Sequence, residues 1–352
     1  MPMMEWPQLI STLLAGQSLT REDAYAFMDA VMEGEVPEPR LAAALTALTI
    51  KGVTVAEVHG LADAMRDHAL PTDLPSDSLD IVGTGGDGHF TVNVSTMSAL
   101  VLAATGVPVV KHGNRASTSA SGSADLLEAL GIDLDLAPQN LSRLFDEVGI
   151  AFLFANKFHP SMRFAAPVRR ALAFPTVFNL LGPLTNPARP RAGAFGAANE
   201  ANARIIAGVC AQRGVDAVVV RGRDLGLDEF STVDVNQVWH VHGGVVDIHE
   251  IDATETFGMA RATVEDLRGG TPTDNAAIAG EVFAGRGPRA VRDAVCLNVA
   301  AGLVAHGSPE VPAVSEAPLV DGLRRGVEVA RTVLDSGKAA RLVERWVAAA
   351  AK

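Results

Sequence analysis

Cysteine is scarce in this sequence, where Cys210 and Cys296 are the two cysteines among 352 residues. Both lie in apolar stretches with helical spacing. Two such thiols do not form a disulfide framework, and they fit a reducing compartment better than an oxidising one. The sequence therefore predicts a cytoplasmic protein. Its stability must come from a hydrophobic core, for which 48% hydrophobic residues are sufficient.

Basic residues are also in deficit, with 29 Lys and Arg against 41 Asp and Glu, which gives a net charge of −12. Because an acidic surface repels a phosphate backbone, nucleic acid is not expected as a partner. The longest apolar runs, at 99–104 and 294–304, are too short or too interrupted to span a bilayer. The N-terminal residues lack the basic and apolar regions of a signal peptide. We therefore expect no membrane partner.

The pattern of hydrophobic residues changes once along the chain. Residues 1–70 have helical spacing, and Thr54 with Glu57 forms a capping-box pattern at the start of one helix. Residues 71–75 are typical of a linker. Short β-branched runs then alternate with helical segments, which indicates βαβ units. The predicted fold class is α/β: a small all-helical domain (1–70) plus a larger α/β domain (76–352) with a mainly parallel sheet flanked by helices.

A glycine-rich segment, Gly-Thr-Gly-Gly-Asp-Gly at 83–88, directly follows a predicted strand. Its glycines allow backbone N–H groups to point at an anion. Asn-Val-Ser-Thr at 93–96 stands at the expected start of the next helix, where N–H groups and hydroxyls favour phosphate or pyrophosphate. A tight turn followed by an ordinary N-cap at Ser95 or Thr96 explains the same residues. The segment alone leaves both interpretations open.

A second polar segment, 111–123, follows a strand expected to end at Val110. It contains two cations, Lys111 and Arg115, together with a histidine, an amide and five hydroxyls. Such a segment is poor material for a core or a helix. It is suited to a mobile loop that neutralises and hydrogen-bonds a polyanion.

Two further positions have the side chains that a phosphate-bearing substrate would need. Asp228 and Glu229 are adjacent carboxylates in a predicted loop, and Mg²⁺ commonly binds through one or two carboxylates plus substrate phosphates. Arg169 and Arg170 follow a proline suited to a helix start. One of this pair is expected to face solvent, whereas the other can bind a carboxylate bidentately.

These segments, in this order, resemble the anthranilate phosphoribosyltransferases, and the resemblance runs over nearly the whole chain. The matching motifs are Gly-Thr-Gly-Gly-Asp at 83–87, Asn-Val-Ser-Thr at 93–96, Lys-His-Gly-Asn-Arg at 111–115, Ser-Gly-Ser-Ala-Asp at 121–125, Phe-Asn-Leu-Leu-Gly-Pro-Leu at 178–184 and Asp-Glu at 228–229. One departure is Ala120, where the family often has lysine. The departure leaves the cations of 111–115 intact.

The resemblance implies an enzyme that transfers the phosphoribosyl group of 5-phosphoribosyl 1-pyrophosphate (PRPP) to the amine of anthranilate. The products are N-(5'-phosphoribosyl)anthranilate and pyrophosphate, in L-tryptophan biosynthesis. The resemblance further implies Mg²⁺ as cofactor, with two ions per active site, and a homodimer formed through the helical domains. It implies that a segment near 165–185 joins the N-terminal helices and that the active site lies in a cleft between the domains.

The family's functional residues carry over by position. The residues implied to bind PRPP are Gly83, Gly86, Asp87, Thr91, Asn93, Val94, Ser95, Thr96, Lys111, His112, Gly113, Asn114, Arg115, Ala116, Ser117, Thr118, Ser119 and Ser123. Those implied to contact anthranilate are Gly83, Asn114, Arg169, His112 and His159. Those implied to bind Mg²⁺ are Ser95, Asp228 and Glu229. No residue is marked as a general base.

Three other classes of protein share some of these features. Pyrimidine nucleoside phosphorylases resemble this architecture, but their phosphate loop resembles Lys-His-Ser-Thr-Gly-Gly where this chain has Lys-His-Gly-Asn-Arg at 111–115. A non-enzymatic relative that binds nucleic acid would need a basic cleft. A flavin or nicotinamide enzyme would need the Gly-x-Gly-x-x-Gly spacing that 83–88 lacks.

Overall fold

The structure is a computed structural model, and it describes residues 6–116, 120–136, 138–307 and 318–350. Packing divides the chain into two compact units. The helical unit consists of Met1–Pro71 and Ala155–Pro187, and the α/β unit consists of Thr72–Phe154 and Ala188–Lys352. The segment near 165–185 that the resemblance adds to the N-terminal helices falls within the second stretch of the helical unit.

The helices of the described residues are numbered in chain order. They are α1 Trp6–Leu14, α2 Arg21–Glu33, α3 Glu38–Lys51, α4 Val55–Asp67, α5 Val94–Thr105, α6 Ser123–Ala129, α7 Pro138–Val148, α8 Ala155–Phe158, α9 Ala166–Leu172, α10 Phe178–Leu181, α11 Glu200–Arg213, α12 Ala253–Phe257, α13 Pro272–Phe283, α14 Arg289–His306, α15 Leu319–Asp335 and α16 Lys338–Ala350. Three short 3-10 helices add Pro160–Phe164, Gly182–Leu184 and Glu265–Leu267. The strands are β1 Leu79–Gly83, β2 Val109–Gly113, β3 Ile150–Phe154, β4 Ala192–Gly196, β5 Asp216–Gly222, β6 Val235–His242 and β7 Val245–Asp252.

In the helical unit, α4 begins with the predicted capping box. Thr54 accepts a hydrogen bond from the Glu57 backbone, and the Glu57 side chain accepts one from the Thr54 backbone. Helices α2 and α4 then pack closely at Gly60, where an added Cβ would lie 2.2 Å from the carbonyl oxygen of Arg21. Only glycine allows this approach, so Gly60 fixes the distance between the two helices.

The α/β unit is built on one sheet whose described strands run in the order β3-β2-β1-β4-β5-β6-β7. Strands β1 to β5 pair in parallel, whereas β6 and β7 pair in antiparallel fashion. The sheet is therefore mainly parallel, and α5 and α14 are almost entirely buried in the core beside it. The predicted fold class, a small all-helical domain plus a larger α/β domain, is confirmed.

Two features of the sheet differ from the sequence-based expectation. The hairpin β6–β7 was not predicted, although its turn is Gly243-Gly244 with both φ values positive, at 56° and 80°. A two-glycine turn of this kind is a strong hairpin signal, but the strands around it are rich in polar residues and gave no clear strand pattern. Strand β2 also continues beyond Val110 to Gly113, because it pairs with β3 up to Gly113 and Phe154. Of the helices described, none has the length and apolar character needed to cross a membrane.

Candidate functional site

The predicted phosphate-binding segments follow neighbouring parallel strands. The glycine-rich loop follows β1, and the polar segment that begins at Lys111 occupies the end of β2. The carboxyl ends of parallel strands meet at one edge of a sheet, where α/β proteins bind their ligands. Asp228 reaches the same edge, because its Oδ2 accepts a hydrogen bond from the backbone N–H of Gly85 at 2.6 Å. The fold thus gathers three segments that are far apart in sequence.

The loop after β1 depends on glycine for its backbone conformation. Gly85, Gly86 and Gly88 have φ values of 65°, 81° and 76°, in the left-handed region that side chains disfavour. An added Cβ at Gly85 or Gly86 would meet nothing within 4 Å. Glycine is therefore required here by the backbone conformation, and the loop leaves open space over these two residues.

Two other glycines determine where Asp228 can lie. An added Cβ at Gly83 would lie 2.5 Å from Asp228 Oδ2, and one at Gly196 would lie 1.7 Å from the Asp228 carbonyl oxygen. Both are distances that real side chains do not tolerate. Gly196, at the end of β4, was not predicted as a site residue. Its position at the end of a short parallel strand is the sequence feature that could have indicated a site residue.

The carboxylates of this site crowd one another. The backbone N–H of Asp228 donates to Asp87 Oδ2 at 3.4 Å. Burial, together with the nearby charge of Asp87, raises the pKa of Asp228 to about 7. Burial and the charge of Asp228 likewise raise the pKa of Glu229 well above its ordinary value, against a hydrogen bond from the Ser95 backbone that lowers it. A nearby cation would favour the charged, carboxylate form of both side chains.

Lys111 is the cation of this group, and its place corrects one expectation. The sequence placed it in a mobile loop, whereas it is 1% exposed within β2 and its Nζ donates to the Ile81 carbonyl oxygen. Burial lowers the pKa of Lys111 to about 8, against the opposing charges of Asp80 and Glu229. Those two carboxylates explain why a lysine is tolerated inside the sheet, since a buried charge needs a partner.

His112 and Gly113 complete β2, and both are tightly packed. The backbone N–H of His112 donates to Asp80 Oδ1 at 3.1 Å, and the His112 side chain is buried. An added Cβ at Gly113 would lie 2.8 Å from the ring of Phe152. These two residues therefore belong to the sheet and not to a mobile loop.

The segment after β2 is held by carboxylates of α6. Arg115 pairs with Glu128 through two hydrogen bonds of 2.6 Å, and it also donates to Asp125 at 3.0 Å. Asp125 Oδ2 accepts from the backbone N–H groups of Ala116 at 2.9 Å and Gly122 at 2.8 Å. In this structure the Arg115 guanidinium is thus engaged by acidic side chains. Its predicted contact with PRPP stays a prediction.

The remaining predicted residues of this segment and of the approach to α5 are placed as follows. Ser117, Thr118 and Ser119 lie outside the described residues. Ser123 is the first residue of α6. The Oδ1 of Asn114 accepts a hydrogen bond from the backbone N–H of Arg115 at 2.8 Å. Thr91 forms an isolated antiparallel bridge with Arg268.

Helix α5 starts at the predicted position, but the residue at its N-cap is Asn93 and not Ser95 or Thr96. Val94, Ser95 and Thr96 form its first turn. Asn93 Nδ2 donates to the Ser121 carbonyl oxygen at 2.9 Å, and Asn93 Oδ1 accepts from Asn275 Nδ2 at 2.9 Å. Asn275 was not singled out in the sequence.

The two residues predicted for anthranilate that lie in the helical unit are both partly or fully withdrawn from solvent. Arg169 on α9 is half-buried and its guanidinium lies 5.0 Å from the centre of the Phe178 ring, whereas Arg170 is exposed. Burial lowers the pKa of Arg169 from its ordinary value. His159 is buried, and that burial lowers its pKa to about 4, so its ring is neutral near pH 7.

The class of protein follows from the two domains, both of which match domains of a glycosyl transferase family. The family model for the "Glycosyl transferase family, helical bundle domain" matches residues 7–69, and that for the "Glycosyl transferase family, a/b domain" matches residues 76–340. The chain belongs to the anthranilate phosphoribosyltransferase family, as the following relatives show.

The anthranilate phosphoribosyltransferase of an Arthrobacter species is 51% identical to this chain over 97% of it and 95% of the relative. A crystal structure of the Thermus thermophilus enzyme has a TM-score of 0.88 and 42% identity, with 98% of this chain and 99% of the other covered. The yeast enzyme in complex with PRPP and Mg has a TM-score of 0.85 and 26% identity, with 98% of both chains covered. The resemblance inferred from the sequence is confirmed, and it favours the transferase over the nucleoside phosphorylase alternative.

Proposed function

We propose that the residues of the α/β unit described above hold PRPP and Mg²⁺, and that Arg169 of the helical unit holds anthranilate. The predicted activity is confirmed by family membership: the chain transfers the phosphoribosyl group of PRPP to the amine of anthranilate, in tryptophan biosynthesis. The observation that carries the residue-level proposal is the group formed by Asp87, Asp228 and Glu229 with buried Lys111.

The acidic group fits a magnesium site. Asp228 and Glu229 are buried carboxylates whose pKa values are raised, so the structure contains a concentration of negative charge that a divalent cation would relieve. Carboxylates and a hydroxyl such as that of Ser95 are the oxygen ligands that Mg²⁺ prefers, usually together with substrate phosphates. We assign two ions per site to Ser95, Asp228 and Glu229. The yeast relative was crystallised with PRPP and Mg.

PRPP would meet donors on several sides. The loop after β1 supplies backbone N–H groups around Gly86, the first turn of α5 supplies the N–H groups and hydroxyls of Ser95 and Thr96, and Lys111 supplies a positive charge. The rest of the PRPP set belongs to the same proposal: Gly83, Asp87, Thr91, Asn93, Val94, His112, Gly113, Asn114, Arg115, Ala116, Ser117, Thr118, Ser119 and Ser123.

The chemistry follows from charge development. The bond between ribose C1 and the pyrophosphate oxygen breaks, and C1 gains oxocarbenium character. The anthranilate nitrogen forms the new bond to C1, and the proton it then loses passes to the released pyrophosphate or to water. Mg²⁺, when bound, neutralises charge on the leaving pyrophosphate. Lys111 stabilises the same charge from a fixed position, where no reorganisation is needed. Anthranilate's amine is already neutral, so it needs orientation more than deprotonation, and we assign no general base.

Anthranilate's carboxylate requires a cation, which we assign to Arg169. Its guanidinium lies against the Phe178 ring and is half-buried, so it is both oriented and partly desolvated. A planar guanidinium can bind a carboxylate through two parallel hydrogen bonds. The other residues that the resemblance assigns to anthranilate are Gly83, His112 and Asn114, together with His159, which is buried and neutral.

We also propose a homodimer, and its interface on the helical unit. Leu14 on α1 and Ile50 on α3 are 75% and 82% exposed, and the two helices pack against each other. Neighbouring exposed apolar side chains mark candidate protein–protein contacts. Ala43, about two helical turns before Ile50, is exposed as well. A second copy of the chain would cover these residues. The domain limits, 1–70 with a segment near 165–185 for the helical domain and 76–352 for the α/β domain, remain part of the proposal, as does a cytoplasmic location.

An omission series tests the reaction. Loss of anthranilate fluorescence is followed with protein, PRPP and Mg²⁺ together and with each left out in turn. We expect fluorescence to fall only in the complete mixture and pyrophosphate to appear in equal amount. Consumption of anthranilate without PRPP, or none in the complete mixture, would overturn the proposal.

A further inference from the structure

A chain of side-chain amides lies beside the proposed PRPP site. Asn275, in the first turn of α13, is 3% exposed. Its Oδ1 accepts from the backbone N–H of Gly270 at 2.8 Å, and its Nδ2 donates to Asn93 Oδ1 at 2.9 Å. Asn93 Nδ2 in turn donates to the Ser121 carbonyl oxygen at 2.9 Å. We call Gly270, Asn275, Asn93 and Ser121 the amide relay.

The two ends of the amide relay fix the orientation of both amides. The N–H of Gly270 can only donate, so it requires the oxygen of Asn275. The carbonyl of Ser121 can only accept, so it requires the nitrogen of Asn93. The middle bond then runs from the Asn275 nitrogen to the Asn93 oxygen, with every group in an allowed role. Neither amide can turn over without placing two like groups against each other.

The amide relay connects segments to which we assign PRPP. Asn93 precedes the first turn of α5, where the Ser95 backbone also bonds Glu229. Ser121 lies at the end of the polar segment after β2, two positions before Ser123. Through these hydrogen bonds Asn275 connects Asn93 and Ser121 to the backbone at Gly270. One buried side chain thus sets the position of two segments that meet the same ligand.

We propose that Asn275 is a positioning residue for PRPP, which acts by holding Asn93 and, through it, the Ser121 carbonyl. This inference rests on the proposed function. Asn275 makes no contact with substrate in this assignment. Its loss should therefore weaken PRPP binding while leaving the acidic group, Lys111 and Arg169 in place.

The test measures KM for each substrate in two variants. Asn275→Ala removes the donor to Asn93, so we expect KM for PRPP to rise about five- to tenfold, the effect of one lost buried hydrogen bond. Asn275→Asp keeps an acceptor for Gly270 but offers no donor, which forces the Asn93 amide to turn its oxygen towards the Ser121 carbonyl. We expect its effect to be at least as large. KM for anthranilate should change less than about twofold in both.

The neighbouring Asp274 supplies a matched control. Its carboxylate accepts from the Thr271 backbone at 3.0 Å and from the Thr271 hydroxyl at 2.7 Å, so it caps the same helix without joining the amide relay. Asp274→Ala should lower the melting temperature and leave KM for PRPP unchanged. An equal rise in KM for Asp274→Ala would show that loosening the start of α13 is sufficient, and would overturn the inference.

A double-mutant cycle separates action through Asn93 from a general effect. In an Asn93→Ala background the amide relay is already broken, so adding Asn275→Ala should change KM for PRPP by less than about twofold. Effects that multiply in the double variant, or an unchanged KM in both Asn275 variants, would overturn the inference. If the unaltered protein converts anthranilate and PRPP, either of these outcomes leaves the proposed function unaffected. If the unaltered protein shows no turnover, the proposed function fails first.

Discussion

The pair Arg169 and Arg170 offers a sharp test of how anthranilate is held. Arg169 is half-buried with its guanidinium 5.0 Å from the Phe178 ring centre, whereas Arg170, the next residue of the same helix, is exposed. Losing a charge-assisted hydrogen bond costs roughly 1.5–3 kcal/mol, which corresponds to about a ten- to hundredfold loss of affinity. Arg169→Ala should therefore raise KM for anthranilate by about that factor.

The assay is steady-state kinetics by anthranilate fluorescence, with each substrate varied at saturation of the other. Arg170→Ala is the matched control, because it removes the same charge from the same helix. We expect it to leave both KM values within about twofold of the unaltered protein, since an exposed charge contributes little. The reasoning is refuted if Arg169→Ala leaves KM for anthranilate unchanged, or if Arg170→Ala raises it as much.

Three further predictions concern other parts of the molecule. Gly196→Ala would place a Cβ 1.7 Å from the Asp228 carbonyl oxygen, which would displace the Asp228 backbone and with it the carboxylate. Turnover should therefore fall about a hundredfold. An unchanged kcat would contradict this. Ile50 is 82% exposed, and Ile50→Asp should convert the dimer to a monomer in light scattering. A dimer that persists in this variant, or an unaltered protein that is monomeric at micromolar concentration, would argue against the interface. Burial lowers the pKa of His159 from 6.5 to about 4, so between these pH values the folded state binds fewer protons than the unfolded chain. The free energy of unfolding should therefore fall by up to about 3 kcal/mol as the pH drops from 6.5 to 4. Urea titrations of His159→Gln should lack that part of the decline.

The sequence predicted the fold class, and it singled out the segments of the candidate site, because both depend on local patterns. Helical spacing in 1–70 and strand–helix alternation after it gave the two kinds of domain. The glycines of 83–88 indicated a candidate anion loop, since their backbone conformation must be encoded locally. The adjacent carboxylates Asp228 and Glu229 indicated a metal site only in combination with a candidate phosphate loop, and the resemblance to a family strengthened that interpretation.

What the sequence could not show depends on contacts between distant segments. Lys111 was expected in a loop because the segment 111–123 is poor material for a core, whereas the Ile81 carbonyl and the charges of Asp80 and Glu229 compensate its burial. The bond between Gly85 and Asp228 joins residues 143 positions apart. Asn275 lies 182 positions from Asn93, and nothing in its own surroundings marks it as a partner. Such relations follow from the order of strands in the sheet.

Calorimetric titration of PRPP tests the central claim most directly, namely that the acidic group with Lys111 forms a metal-dependent PRPP site. With Mg²⁺ present we expect saturable binding of PRPP, and in excess chelator we expect none. Glu229→Gln should require more Mg²⁺ for the same binding, because one ligand charge is lost. Tight binding of PRPP in excess chelator, or a Glu229→Gln variant with an unchanged Mg²⁺ requirement, would contradict the account.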